Sequence, residues 1–220
     1  MADSEIISQN LIELYDGNDK MMNFSLKNFI KLSGIIKLDK TSKILDCGCG
    51  MGYLINHLKS YGFKNLTGLE SCKEMAYKAA KITGMPVVCG DAEDLDKHFS
   101  TGSLDVVIFS SMLHHVPSLN DWFKIFKQAG NLIKPGGMIF IKEPAPTIFL
   151  KFFMELSKYK FFYIGFLKSR LKGYAEELDL HYYFFKEWYP NYKNILTSNG
   201  FEIVKDFTGF FHKVISAKKK

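Results

Sequence analysis

Residues 43–52 read Lys-Ile-Leu-Asp-Cys-Gly-Cys-Gly-Met-Gly. An apolar strand ends in Asp46, and glycine then recurs at positions 48, 50 and 52. Glycine reaches backbone conformations closed to other residues. A ligand can therefore lie against the bare chain at such a strand-to-helix turn, facing amide hydrogens and a helix N-terminus. The dinucleotide spacing G-x-G-x-x-G would need glycine at position 53, which is Tyr53. An acid at the mouth of the turn would also oppose a pyrophosphate, because two like charges would be forced together. Asp46 followed by G-x-G-x-G suits instead a ligand that carries an ammonium or sulfonium group.

Outward from this turn, apolar runs of strand length alternate with helical spacing. Strands are expected at 43–47, 65–70, 86–89, 104–110 and 137–142, with helices at 52–60, 71–83 and 119–133. Such alternation argues for a parallel sheet wrapped by helices through right-handed crossovers. Ligands of these sheets bind beyond the carboxyl ends of the strands. Ahead of the turn, residues 3–36 carry helical spacing (Ile6, Leu11, Leu14, then Phe24, Phe29, Ile30), broken by Asp16-Gly17-Asn18-Asp19. Behind Glu143 the composition shifts: residues 144–192 hold sixteen aromatic side chains, about half of those in the chain. A helix at 192–198 and two strands, 201–207 and 210–217, joined at Thr208-Gly209, close the pattern. One domain over 1–220 is expected: N-terminal helices to residue 37, a ligand-binding core at 43–142, an inserted cap at 144–192 and a final hairpin at 200–217.

Composition removes several alternatives. An apolar fraction of 47% in 220 residues supplies a core. The opening Met-Ala-Asp-Ser-Glu lacks the basic and apolar regions of a signal peptide. The longest apolar stretch, 148–167, is interrupted by Lys151, Glu155, Lys158 and Lys160, so no membrane span is expected. The net charge of +6 invites a nucleic-acid partner. However, Arg170 is the sole arginine, and phosphate-reading surfaces draw on arginine for bidentate contacts. The four cysteines, Cys47, Cys49, Cys72 and Cys89, match no common zinc spacing. They read as reduced thiols of a cytoplasmic protein, with no metal.

Glu70 ends the second strand, where an acid can accept both hydroxyls of a ribose. Gly90-Asp91-Ala92 follows the third strand. The fourth runs Leu104-Asp105-Val106-Val107-Ile108-Phe109-Ser110 into Ser111-Met112-Leu113-His114-His115, and Lys134-Pro135-Gly136-Gly137 precedes the fifth. With the glycine turn, these segments resemble, in order and spacing over 43–142, the class I S-adenosylmethionine (SAM)-dependent methyltransferases, of the Rossmann-like type acting on small molecules. The resemblance implies an α/β fold: a doubly wound, mostly parallel seven-stranded sheet with an antiparallel last strand, here under a helical, aromatic-rich cap. It implies SAM as cofactor and S-adenosylhomocysteine (SAH) as product. Its cofactor positions fall on Asp46, Gly48, Cys49, Gly50, Gly52, Glu70, Ser71, Met75, Asp91, Ala92 and Ser110. Of these, Glu70 would bind the ribose, Asp91 and Ala92 the adenine edge, Met75 the adenine face, and Ser110 would border the methionine part.

Methyl transfer from a sulfonium is an in-line displacement that demands alignment and a dry site, with a general base only where the nucleophile starts protonated. His114, His115 and Glu143 stand at strand ends facing the expected site and are the candidate bases or acceptor contacts. His181, Tyr174, Tyr182 and Tyr183 in the aromatic segment are the candidate acceptor-binding residues. A small-molecule acceptor is the favoured reading. A methyltransferase of RNA or protein is the alternative, and a binder of SAM without catalysis is a third. No Asn/Asp-Pro-Pro-aromatic motif follows the fourth strand, which argues against the polymer reading.

Overall fold

A computed structural model describes residues 20–162 and 168–220. The first expected helix, up to Tyr15, and the aromatics Tyr163 and Phe166 lie outside the described residues. In chain order the strands are β1 (Lys43–Cys47), β2 (Asn65–Glu70), β3 (Val87–Cys89), β4 (Leu104–Ser110), β5 (Ile133–Pro144), β6 (Phe201–Thr208) and β7 (His212–Lys219). The main helices are α1 (Lys20–Ser33), α2 (Tyr53–Ser60), α3 (Lys73–Thr83), α4 (Leu95–His98), α5 (Leu119–Leu132), α6 (Ile148–Ser157), α7 (Lys168–Glu176) and α8 (Leu178–Ser198).

The seven strands form one sheet in the order β3-β2-β1-β4-β5-β7-β6. Strands β1 to β5 are parallel, while β7 runs antiparallel to β5 and β6 antiparallel to β7. The central strands are covered on both faces, which is why β4 is a nearly continuous apolar run. Side chains alternate across it. Val107 and Phe109 enter the core shared with α5 and α8, and Val106 and Ile108 enter the one shared with α1 and α2. Strand β5 starts four residues earlier than its apolar pattern suggests. Ile133 pairs with Leu104 before Pro135–Gly137 loop out, and pairing resumes at Met138 with Val106. Gly136 has φ 79°, a conformation that favours glycine.

Helix starts follow local chemistry. The Ser118 hydroxyl accepts the Asp121 amide at the start of α5, and Thr147 accepts the Leu150 amide at the start of α6. The expected short helix at 192–198 is the end of a 21-residue helix, α8, that continues through Pro190. Phe184, Trp188 and Tyr192 recur every four residues along α8. Their rings stack in sequence at 4.9 Å and 17° and bury that face against the sheet. The rest of the aromatic segment behaves differently. Phe149 and Phe152 are exposed, because α6 buries only Leu150, Met154 and Ser157, and Tyr159 and Phe161 just beyond it are exposed as well. Among the described residues, no helix is long and apolar enough to cross a membrane.

Candidate functional site

The glycine turn joins β1 to α2 at the carboxyl edge of the sheet. Gly48, Gly50 and Gly52 have φ of 73°, 53° and 78°. At Gly48 a Cβ would stand 2.3 Å from Met112 Cγ, and at Gly52 a Cβ would stand 2.5 Å from Thr83 Cγ2. Conformation and space therefore both demand glycine at these two positions. Three of the turn's amides, those of Gly48, Cys49 and Gly50, do not face outward, as the bare-backbone reading of the sequence supposed. Gly48 and Cys49 donate to the Leu69 carbonyl (2.8 and 3.0 Å), and Gly50 donates to Glu70 Oε2 (2.9 Å). These bonds tie the turn to the end of β2. Glu70 Oε1 accepts the Cys72 amide (3.0 Å), and each Glu70 oxygen keeps lone-pair capacity for a further donor.

Asp46 is 2% exposed, and its Oδ2 has no hydrogen-bond partner. Burial, aided by the nearby Glu70 charge, pushes its pKa up to about 7. A buried, orphaned carboxylate oxygen beside a glycine turn fits a cationic ligand group, which would restore its charged form. Cys49 belongs to the site only through its backbone. Its thiol turns into the core, where Sγ stands 2.6 Å from the point a Cβ on Gly68 would occupy. Burial and the Asp46 and Glu70 charges push the Cys47 and Cys49 thiols up, so both stay protonated.

Beside the turn opens a cleft of about 260 Å³, whose walls include Gly48, Ser71, Asp91, Ala92, Met112 and His115. Four expected cofactor residues thus converge on one space. Met75 is buried with its Cε near Gly50, and Ser110 ends β4 beside Lys142 of β5. Met112 had no signal in the sequence. Ser111, with φ 55°, occupies the left-handed region, and this turn of the backbone lays Met112 over Gly48.

Glu143, fully buried at the end of β5, organises the exit loop of β4. Its Oε1 accepts the Met112 and Leu113 amides (2.8 and 2.9 Å), and its Oε2 lies 2.7 Å from His114 Nδ1. All of these bonds point inward, so Glu143 positions the loop. His114 is buried as well. Burial alone would lower its pKa, but the Glu143 hydrogen bond and the Glu177 carboxylate 3.7 Å away outweigh this and hold it near 9. His115 lines the cleft with its side chain 41% exposed, and desolvation together with the His114 charge lowers its pKa. His181 is buried against His114, the rings stacked 5.0 Å apart, and is likewise lowered to about 4.

Of the aromatic candidates, Tyr174 meets His181 edge-on at 6.0 Å. Tyr182 and Tyr183 are exposed: Tyr182 donates to Glu155 (2.7 Å), and Tyr183 lies beside Trp122. The inward phenols are others. Tyr189 donates to the Pro144 carbonyl (3.0 Å) and Tyr192 to Asp206 (2.5 Å). Glu177, like Met112, carried no signal in the sequence, since nothing in its neighbourhood announces that it meets three histidines.

Comparison with known proteins bears on this geometry. Residues 45–141 match a family described as a methyltransferase domain. The demethylmenaquinone methyltransferase of Staphylococcus epidermidis is 26% identical over 216 residues, covering 92% of this chain and 87% of its own. The 27-O-demethylrifamycin SV methyltransferase of Amycolatopsis mediterranei is 28% identical over 128 residues, covering 53% of this chain and 45% of its own. Among solved structures, the magnesium protoporphyrin IX methyltransferase of Synechocystis with bound SAH shares the fold at a TM-score of 0.65. It is 15% identical, with 96% of this chain and 94% of that one covered.

Proposed function

From the premise that the chain is a class I SAM-dependent methyltransferase, we propose that it methylates a small-molecule acceptor by in-line displacement, with SAH as the second product. The observation that carries this reading is a narrow cleft in which Asp91 and Ala92 face Met112 and His115. A narrow cleft without a run of cations along its walls suits a small acceptor, whereas a polymer would need an open groove lined with cations. The relatives named above, with a quinone precursor, a rifamycin and a porphyrin in their names, support the same class of acceptor.

SAM supplies a methyl group already activated on a sulfonium. The chain's residues bind, orient and exclude water. Asp46 offers its unpartnered oxygen to the cationic portion, Glu70 its spare lone pairs to the ribose, and Asp91 and Ala92 the adenine edge, with Ser71, Met75 and Ser110 bordering them. Gly48, Gly50 and Gly52 keep the turn free of side chains. His115, neutral at pH 7, can accept a proton from an acceptor hydroxyl or hold its lone pair in line. His114, already protonated, keeps the loop in place and is a poor base. Tyr174 and His181 close the cap side. The four free thiols suit a reducing cytoplasm.

The test is incubation of the purified protein with methyl-labelled SAM and a metabolite-rich extract, followed by separation by size. Label in the small-molecule fraction is expected, and label confined to RNA or protein would overturn the acceptor class. Independently, Glu70→Ala should weaken SAM binding at least 10-fold in a calorimetric titration, since it removes charge-assisted hydrogen bonds of roughly 1.5–3 kcal/mol each. Unchanged affinity would refute the ribose assignment.

A further inference from the structure

The start of α8 meets the β4 exit loop at a cluster that methyl transfer does not require. His114 Nε2 and His181 Nε2 lie 3.7 and 3.8 Å from the same Glu177 oxygen, Oε2. The ligand atoms that the three residues offer all lie within 4.8 Å of one another. Both imidazoles are buried, and the Glu177 side chain is only 21% exposed. Glu177 caps α8, and its carbonyl accepts the His181 amide (3.0 Å), which brings the two side chains to the same side.

His114 is oriented from behind. Its Nδ1 is 2.7 Å from Glu143, and Glu143 is itself held by two backbone amides. A carboxylate on one ring nitrogen keeps the proton there, so that an ion arriving at Nε2 displaces the second proton of the imidazolium and takes up the lone pair it leaves. This is how metal-binding imidazoles are fixed. The separations of 3.7 and 3.8 Å exceed a direct hydrogen bond. They approach the spacing of two ligands on one tetrahedral ion, about 3.4 Å for bonds of about 2.1 Å. Two imidazole nitrogens and a carboxylate oxygen converging in a buried space, none within bonding reach of another, form a set of donors suited to a cation between them.

We propose that His114, Glu177 and His181 form a binding site for a divalent first-row transition-metal ion, with Glu143 as the outer partner that orients His114. Two imidazoles and one carboxylate suit zinc or its neighbours. Magnesium and calcium, which take oxygen ligands, do not fit this set. Three protein ligands leave a position for water or for an oxygen of a bound molecule. His115 stands 3.9 Å from the other Glu177 oxygen and lines the cofactor cleft, so that open position lies next to the cleft. The ion would also fasten the cap helix α8 to the loop that carries Met112 and His115.

The test uses the full-length protein without a histidine tag, stripped with a chelator and titrated calorimetrically with Zn²⁺, with Co²⁺ as a spectroscopic probe. One zinc per chain is expected, with a cobalt spectrum free of thiolate charge-transfer bands. His181→Ala and Glu177→Gln should each lose stoichiometric binding while retaining the far-ultraviolet circular dichroism of the parent. Glu143→Gln should weaken binding by roughly 10- to 100-fold, the usual effect of an outer partner. Cys72→Ser and Cys89→Ser should bind as the parent does. Absence of stoichiometric zinc in the parent overturns the proposal, whatever the variants do. So does zinc that survives both ligand substitutions or disappears with the cysteines.

Discussion

The two sides of the cleft are built by different means. On the β1–β3 side the site is local: Asp46 and Glu70 stand at the ends of β1 and β2, the three glycines and Asp91 follow strand ends within a few residues, and hydrogen bonds such as that from the Gly50 amide to the Glu70 carboxylate hold them together. On the cap side the site is assembled at a distance. Glu143 from β5, His114 from the β4 loop, Glu177 at the cap of α8 and His181 within it meet in a buried cluster of charges and rings. The first side depends on conformational freedom at a few positions. The second depends on every buried charge finding its partner. Substitutions should therefore fail in different ways on the two sides.

The largest effect is expected on the distant side. Glu143→Ala leaves two buried amides and a buried charged imidazole without their acceptor, and breaking a buried charge pair costs about 3–5 kcal/mol. Urea unfolding of the variant should show a loss of this size, and a loss below about 1 kcal/mol would mean that the loop holds without its clamp. Next comes Asp46, whose pKa is raised from 3.8 to about 7 in the folded chain. An acid whose folded pKa is raised destabilises its ionised state, so this contribution is absent below pH 4, grows between pH 4 and 7, and is then constant. At 1.36 kcal/mol per unit it reaches about 4 kcal/mol at most. Without cofactor, Asp46→Asn should gain stability relative to the parent as pH rises from 5 to 8. An advantage independent of pH would show that Asp46 titrates normally. In the parent, affinity for a cationic ligand should rise through the same window.

A smaller, purely conformational effect is expected on the local side. Gly52→Ala must hold φ near 78° and displace Thr83. A loss of about 1–3 kcal/mol is expected, measured as a fall in Tm that bound SAM partly restores. If the variant melts as the parent does, the turn is less constrained than its geometry implies. The smallest effect is on the outer cap. Tyr182→Phe removes an exposed hydrogen bond to Glu155 and should change stability by less than about 0.5 kcal/mol. A substantial loss of turnover there would restore Tyr182 to the acceptor site.

The contrast also accounts for what could be read from the chain alone. The alternation of strand and helix from 43 to 142, the antiparallel close and the positions of Gly48, Glu70 and Asp91 follow from local periodicity and turn chemistry. The inward turn of the amides of Gly48, Cys49 and Gly50 does not, because it depends on how β2 ends beside β1. The candidate tyrosines illustrate the same limit. Tyr182 and Tyr183 adjoin the buried Phe184 in sequence, yet they stand on the outward side of α8, while Tyr189 and Tyr192 reach inward. An aromatic-rich helix leaves such assignments to the partner it packs against.

The sequence by itself determined the sheet, the glycine turn and the acids at or just beyond the ends of β1, β2 and β3, because glycine conformations, strand periods and strand-end spacing are properties of neighbouring residues. Only the tertiary structure decided that Met112 covers Gly48, that Glu143 clamps the loop, and that His114, Glu177 and His181 converge. Those pairings join residues 30 to 70 positions apart, and their energy comes from burial and charge, which exist only once the chain has closed around them.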